Sequence, residues 1–227
     1  HDAFARYAEF VGDQVRQVLG DEPPRILLVN ALTHAFAGHM FAMGLRLGAA
    51  FVIPSVLDMS CPLAEVRERD PNVLTMTPRV LRSFASQRRA DPASRFFGPG
   101  ARLFISAGGR ADPAVVSRLR EDAVETFEIY GSSEASIVAL TPIGGWRPGF
   151  AGRIVPDAVV RLSSRGEIQD QSPGLMPGYF GDDELTNLDT SGVSLVHRGA
   201  NRRRIAFTKA EQTMSVDFSV NVWAMWV

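Results

Sequence analysis

Two short segments hold residue types that could do chemistry. Residues 128–136 read EIYGSSEAS, where an apolar run breaks into a glycine, two serines and one carboxylate. Serine hydroxyls and backbone N–H groups suit phosphate oxygens. Glu134 offers a hard oxygen for Mg2+, an ion bound through one or two carboxylates together with substrate phosphates. Residues 104–110 read FISAGGR, and the paired Gly108 and Gly109 let a backbone approach a flat ligand closely. The first segment admits two readings: a polar turn closing a strand, or a loop that holds a phosphate and its metal ion.

The elements around these segments imply where they sit. RILLVN (25–30) is a short continuous apolar run, as in a strand covered on both faces. A helical stretch from Phe36 to Leu47 follows, then the strand AAFVIP, then a helix over Leu63 to Arg69. NVLTMT (72–77) is the next strand, and Pro78 opens the helix after it at a position where proline is tolerated. ARLFISAG (101–108) is another strand; Asp112 and Pro113 read as the N-cap and first residue of a further helix. VETFEIY (124–130) then leads into the serine segment. This alternation predicts an α/β fold, a mainly parallel sheet flanked by helices. Ligands of such sheets bind at the carboxyl ends of strands, where both small-residue segments fall. After residue 143 glycines and prolines crowd the chain, and DAVVRLSS and GEIQDQSP follow without an intervening helix, which predicts a small antiparallel β subdomain. The expected organisation is an incomplete α/β subdomain over 1–147, a β subdomain portion over 148–190 and an atypical tail over 191–227. Within that tail the alternation in VDFSVNVW fits a strand.

Composition narrows the function classes. The 227 residues suffice to bury a core, and 45% hydrophobic with 22% charged residues is a soluble globular balance. A formal net charge of −1 gives no general attraction to nucleic acid or anionic membrane, and the RGANRRR cluster alone does not change that. Cys61 is the one cysteine, which rules out an internal disulfide and fits a reducing cytoplasm. FAGHMFAMGLRLGAAFVIPSVL contains His39 and Arg46 and reads as helix, turn and strand rather than a membrane span. His39, His197 and Cys61 have no partner at metal or nucleophile spacing and read as structural. The opening, in mid-helix and without methionine, is expected of a piece of a longer protein.

YGSSE resembles the Y-G-x-[ST]-E motif of the adenylate-forming superfamily, which includes acyl- and aryl-CoA synthetases, luciferases and peptide-synthetase adenylation domains. The likeness extends from about Phe4 to Thr186. SAGGRADPAVVSRLRE resembles the family's glycine-rich segment upstream of that motif. LVNALTHAFAGHMFAMGLRLGAAFVIP is similar to its histidine-bearing helix, and RPGFAGRIVPDAVVRL with GEIQDQSPGLMPGYFGDDELT to its later run. The resemblance implies ATP-dependent activation of a small-molecule carboxylic acid, with ATP and Mg2+ as cofactors and CoA or a carrier protein as acyl acceptor. It implies Tyr130 stacking on adenine, Gly131 and Ser132 in the nucleotide loop, Ser133 bonding the α-phosphate and Glu134 holding Mg2+. Gly108, Gly109 and Arg110 would line the adenine and the start of the acyl pocket through backbone contacts, and His34 would stand as a gate at the carboxylate entrance.

The sequence departs from the family at three points. Arg110 stands where a small residue or proline is usual. Lys209, the single lysine, matches neither of the two lysine contexts on which the family draws, so the chain is expected to be inactive by itself. After LDTSG the family's D-G-W-x-x-T-G-D is replaced by VSLVHRGANRRR. Two further readings stand beside acyl-CoA ligase: a peptide-synthetase-type adenylation domain, disfavoured because NALTHAFAGHMFAM offers no aspartate for an α-amino group, and a non-catalytic nucleotide-binding module.

Overall fold

The computed structural model describes residues 2–88, 95–162, 168–171, 174–176, 180, 202–209 and 212–219. Consecutive residues of the first strand, β1 (Arg25–Leu28), show how the architecture arises. Side chains alternate across a strand, so Ile26 and Leu28 join one apolar cluster while Leu27 joins another. A run buried on both faces must therefore be apolar, as Ile26, Leu27 and Leu28 are, while Arg25 at the strand's start is exposed.

The first cluster is supplied by α1 (Asp2–Leu19) and α2 (Ala35–Leu47). They set Tyr7, Val11, Val15, Phe36, Met40 and Met43 against the sheet. On the opposite face, α3 (Leu63–Arg69), α4 (Pro78–Gln87) and α5 (Pro113–Glu121) present Val66, Leu81, Phe84, Val116 and Leu119. Burying side chains of this size contributes about 1.5–3 kcal/mol each. Local signals set the helix ends. Pro78 occupies the first turn of α4, the Asp112 side chain accepts from the Ala114 N–H at 2.9 Å, and Gly48 closes α2 at φ 66°.

The sheet between the helices holds β2 (Ala50–Val52), β3 (Val73–Thr75), β4 (Leu103–Ala107), β5 (Glu125–Ser132), β6 (Ser136–Leu140) and β7 (Phe150–Ile154) beside β1. Its described order is β11-β10-β7-β6-β5-β4-β3-β1-β2, where β10 is Arg202–Lys209 and β11 is Gln212–Ser219. Pairings from β2 through β5 are parallel; β6 pairs antiparallel with β5 and β7. The α/β fold with a mainly parallel, helix-flanked sheet is as the sequence implies. A separate antiparallel pair, β8 (Val159–Leu162) with β9 (Ile168–Gln171), is the expected small β element. Unlike β8 and β9, β7 joins the large sheet, and β10 extends it in parallel with Ala206 opposite Phe150. Val160 and Ile168 of the small pair enclose a third cluster with Ala135, Val138 and Ala139.

Candidate functional site at the ends of the central strands

The serine segment is a tight hairpin rather than an open loop. β5 does not stop at Tyr130: it continues through Gly131 and Ser132, turns at residues 133–135 and returns as β6. Two residues make the turn possible. A Cβ on Gly131 would lie 1.8 Å from the Ser136 carbonyl oxygen, so only glycine fits that crossing. The Ser132 hydroxyl is buried and accepts from the Ala135 N–H at 3.0 Å, closing the turn. That bond sets Ser132 apart from its neighbour: Ser133 is exposed and Glu134 half-buried at the tip. The Met176 N–H donates to the Glu134 carbonyl at 2.7 Å and holds a later segment across the turn.

Tyr130 packs against the third cluster, as do Ala151, Ile154 and Leu175. Burial pushes its phenol pKa up, and the charge of Asp170 on β9 pushes it further. Gly108, Gly109 and Arg110 form the turn at the carboxyl end of the neighbouring β4; Gly108 takes φ 78°, which favours glycine, and Arg110 is exposed.

One residue of β5 ties down the segment after the glycine turn, and sequence reasoning passed it over. Glu128 lies on β5 two residues before Tyr130. Its carboxylate accepts from the Ala111 N–H at 2.7 Å and from the Trp146 indole N–H at 2.6 Å. Burial raises its pKa; the two hydrogen bonds and the charge of Arg110 oppose that shift without cancelling it. The available signal was a carboxylate flanked by the buried Phe127 and Ile129 within a strand, since a group that is itself drawn into the interior needs partners.

The two histidines of α2 part company. His34 is the N-cap residue and makes no side-chain cap bond. His39, which the sequence marks as structural, is buried and lines a cavity with Phe36, Met40, Ile129, Gly131 and Ser136. Its Nδ1 lies 2.7 Å from the Ala35 carbonyl, which can only accept, so Nδ1 carries the proton. Nε2 then accepts from the Ser136 hydroxyl at 2.7 Å. Burial lowers the imidazole pKa, partly offset by the Ala35 bond, and the ring is neutral. The signal was its place in the stripe Phe36, His39, Met40, Met43, spaced to face one side of a helix.

Among the described residues no three His, Cys, Asp or Glu side chains group as a metal cluster. A magnesium ion delivered with phosphates needs no such group, and the carboxylate of Glu134 beside the Ser133 hydroxyl is the donor type it takes. No helix among the described residues is long and apolar enough to cross a membrane.

A family model described as AMP-binding enzyme matches residues 1–180. A nonribosomal peptide synthetase of Malbranchea aurantiaca is 30% identical over 153 residues, which are 61% of this chain and 6% of that protein. The solved anthranilate CoA ligase in complex with anthranoyl-AMP aligns at TM-score 0.75 and 17% identity, over 97% of this chain and 43% of that one. O-succinylbenzoate coenzyme A synthetase from Bacillus subtilis, in complex with ATP and magnesium ion, aligns at TM-score 0.67 and 17% identity, over 93% and 45%. The chain thus spans less than half the length of each of these proteins, and the two structures share its fold.

Proposed function

Because the chain belongs to the AMP-binding enzyme family, we propose that it is part of an adenylate-forming ligase. In that reaction a carboxylate oxygen attacks the α-phosphorus of ATP, the bond to the bridging oxygen of the β-phosphate breaks, and acyl-adenylate and pyrophosphate form. The barrier is largely the approach of two negative groups, so positioning and charge stabilisation carry the catalysis. The observation that carries the reading is the hairpin tip at the carboxyl end of β5, where Ser133 is exposed and Glu134 half-buried. Its strand is the parallel neighbour of β4, whose carboxyl end carries the Gly108–Arg110 turn, and a small apolar cavity lies beside the same hairpin.

Within this reading Ser133, whose hydroxyl is not committed to the turn as that of Ser132 is, donates to the α-phosphate. Gly131 and Ser132 shape the hairpin that presents it. Tyr130 offers a ring face to adenine, and the backbone of Gly108, Gly109 and Arg110 borders the base. Glu134 would hold Mg2+, which when bound supplies positive charge against the phosphates. His34 stands at the acid's entrance, and CoA or a carrier protein then accepts the acyl group. The likeness to a peptide synthetase favours a carrier protein as the second reading of that acceptor.

The test is calorimetric titration of Mg·ATP into the chain and into Glu134→Gln. Binding by the parent and a loss of about tenfold or more in the variant are expected. No binding by the parent, or equal affinities, would overturn the reading.

A further inference from the structure

We infer that His39 is a positioning residue for the nucleotide site: its hydrogen bond to Ser136 fastens the β5–β6 hairpin to α2 and so fixes the Ser133–Glu134 tip. The inference rests on the adenylate-forming reading and names a residue on which the proposed Mg·ATP contacts depend.

Three observations carry it. The first is connection. The His39 ring donates from Nδ1 to the Ala35 carbonyl at 2.7 Å and accepts at Nε2 from the Ser136 hydroxyl at 2.7 Å. Ala35 opens α2, so one ring spans the first turn of that helix and reaches a residue 97 positions further along the chain. The second is the point of attachment. Ser136 is the corner at which the turn becomes β6: it pairs with Ser132 across the hairpin, and its carbonyl oxygen takes the space that a Cβ on Gly131 would need. Its φ of 58° lies in the left-handed region that residues with side chains seldom adopt. Such a conformation persists where surrounding bonds hold it, and the bond to His39 is one that glycine could not make. The third is that the pair has a single arrangement. The Ala35 carbonyl can only accept, which fixes the proton on Nδ1 and leaves Nε2 as an acceptor. If the Ser136 hydroxyl turned away, a buried acceptor would lose its donor, a costly state.

The tip follows from that corner. Ser133 and Glu134 lie between Ser132, whose hydroxyl closes the turn through the Ala135 N–H, and Ser136, which His39 holds. Groups that must meet a ligand in one geometry need support of this kind from the residues behind them. The void beside the pair is about 20 Å³, room for a water and no more. His39 therefore meets no substrate there and acts through the hairpin.

The experiment titrates Mg·ATP calorimetrically into the 227-residue chain and into two variants of matched polarity. His39→Gln brings an amide oxygen close to the position of Nε2, where it can accept from Ser136. His39→Asn is one methylene shorter, keeps a donor for the Ala35 carbonyl and does not reach Ser136. His39→Gln is expected to bind within about threefold of the parent, and His39→Asn at least about tenfold more weakly. A double variant, His39→Leu with Ser136→Ala, replaces both partners by apolar groups and leaves neither unpaired. Its urea midpoint should stay within about 0.5 M of the parent while its Mg·ATP affinity falls about tenfold; a merely structural pair would move neither. Should the double variant lack a cooperative unfolding transition, Ser136→Gly gives the same reading, since it relaxes the backbone and removes the hydroxyl. Equal affinities of His39→Gln and His39→Asn, or parental affinity in the double variant or in Ser136→Gly, overturn the inference while parental Mg·ATP binding still supports the family reaction. Failure of the unmodified chain to bind Mg·ATP removes the adenylate reading itself, and this inference with it.

Discussion

Replacing Glu128 by glutamine tests whether one carboxylate holds the segment after the Gly108–Arg110 turn and the Trp146 loop in place beside the proposed nucleotide site. The side chain has two oxygens and two donors pointing at them, the Ala111 N–H at 2.7 Å and the Trp146 indole at 2.6 Å. Both oxygens of a carboxyl group accept, whereas the nitrogen of a glutamine amide cannot. Glutamine therefore leaves one buried donor unpaired, which costs about 1–3 kcal/mol. With a urea slope of about 2 kcal/mol per molar, a 2 kcal/mol loss moves the unfolding midpoint by about 1 M. The turn at Gly108–Arg110 loses its tether next to Ala111, so Mg·ATP affinity should fall together with stability.

The pH dependence carries the sharper check. Burial holds the Glu128 carboxyl above its ordinary 4.5, so the folded chain keeps a proton that the unfolded chain releases. Its contribution to stability is complete below 4.5 and declines as pH rises through the folded value. Glutamine does not titrate, so the penalty of Glu128→Gln should be largest at pH 5 and shrink toward pH 8. Urea unfolding of both proteins across that range measures it. An unchanged midpoint at pH 5, or a penalty that grows with pH, would refute the reasoning.

Gly131→Ala should abolish Mg·ATP binding and destabilise the chain by about 1–3 kcal/mol or more, because the new methyl would meet the Ser136 carbonyl at 1.8 Å; a variant with parental midpoint and affinity would show that the hairpin opens freely. Tyr130→Phe should keep nucleotide affinity and Tyr130→Ala should lose about 1–3 kcal/mol of it, as calorimetry can read; equal damage by both would assign the role to the hydroxyl. The 227-residue chain alone should give no acid-dependent pyrophosphate exchange. Lys209, the residue after Thr208, sits on β10, three strand spacings from β5, or about 14 Å, and removing even one charge donor costs about 2.7–4 kcal/mol in a transition state. Exchange above a Glu134→Gln control would refute this.

Much of the fold is legible because its signals are local. The alternate destinations of Ile26 and Leu27 follow from a continuous apolar run, and α4 and α5 start where Pro78 and Asp112 say they should. Long-range pairing leaves no such mark: nothing near Phe150 announces that β10 will lie beside it. The site was legible as a motif and illegible as a geometry. Glycine and serine at 131–132 carry the composition of a strand end, yet they lie within the strand, since the partner that closes on them begins four residues after Ser132, at Ser136. His34 was chosen by its place in a motif, while His39 faces the cavity by its place on the helix stripe.

The β5–β6 pairing is irregular between Tyr130 and Gly131, and this sets which face each residue of the segment takes. In a regular strand Ile129 and Gly131 would share one face, and Glu128, Tyr130 and Ser132 the other. Here Glu128 and Tyr130 keep to the side of Ala111, Trp146 and β9, whereas Gly131 and Ser132 both line the cavity with Ile129. A bulge is the usual means of re-aiming a side chain within a strand, and it works here only because both residues after Tyr130 are small. A larger residue at either position would obstruct the turn or fill the cavity.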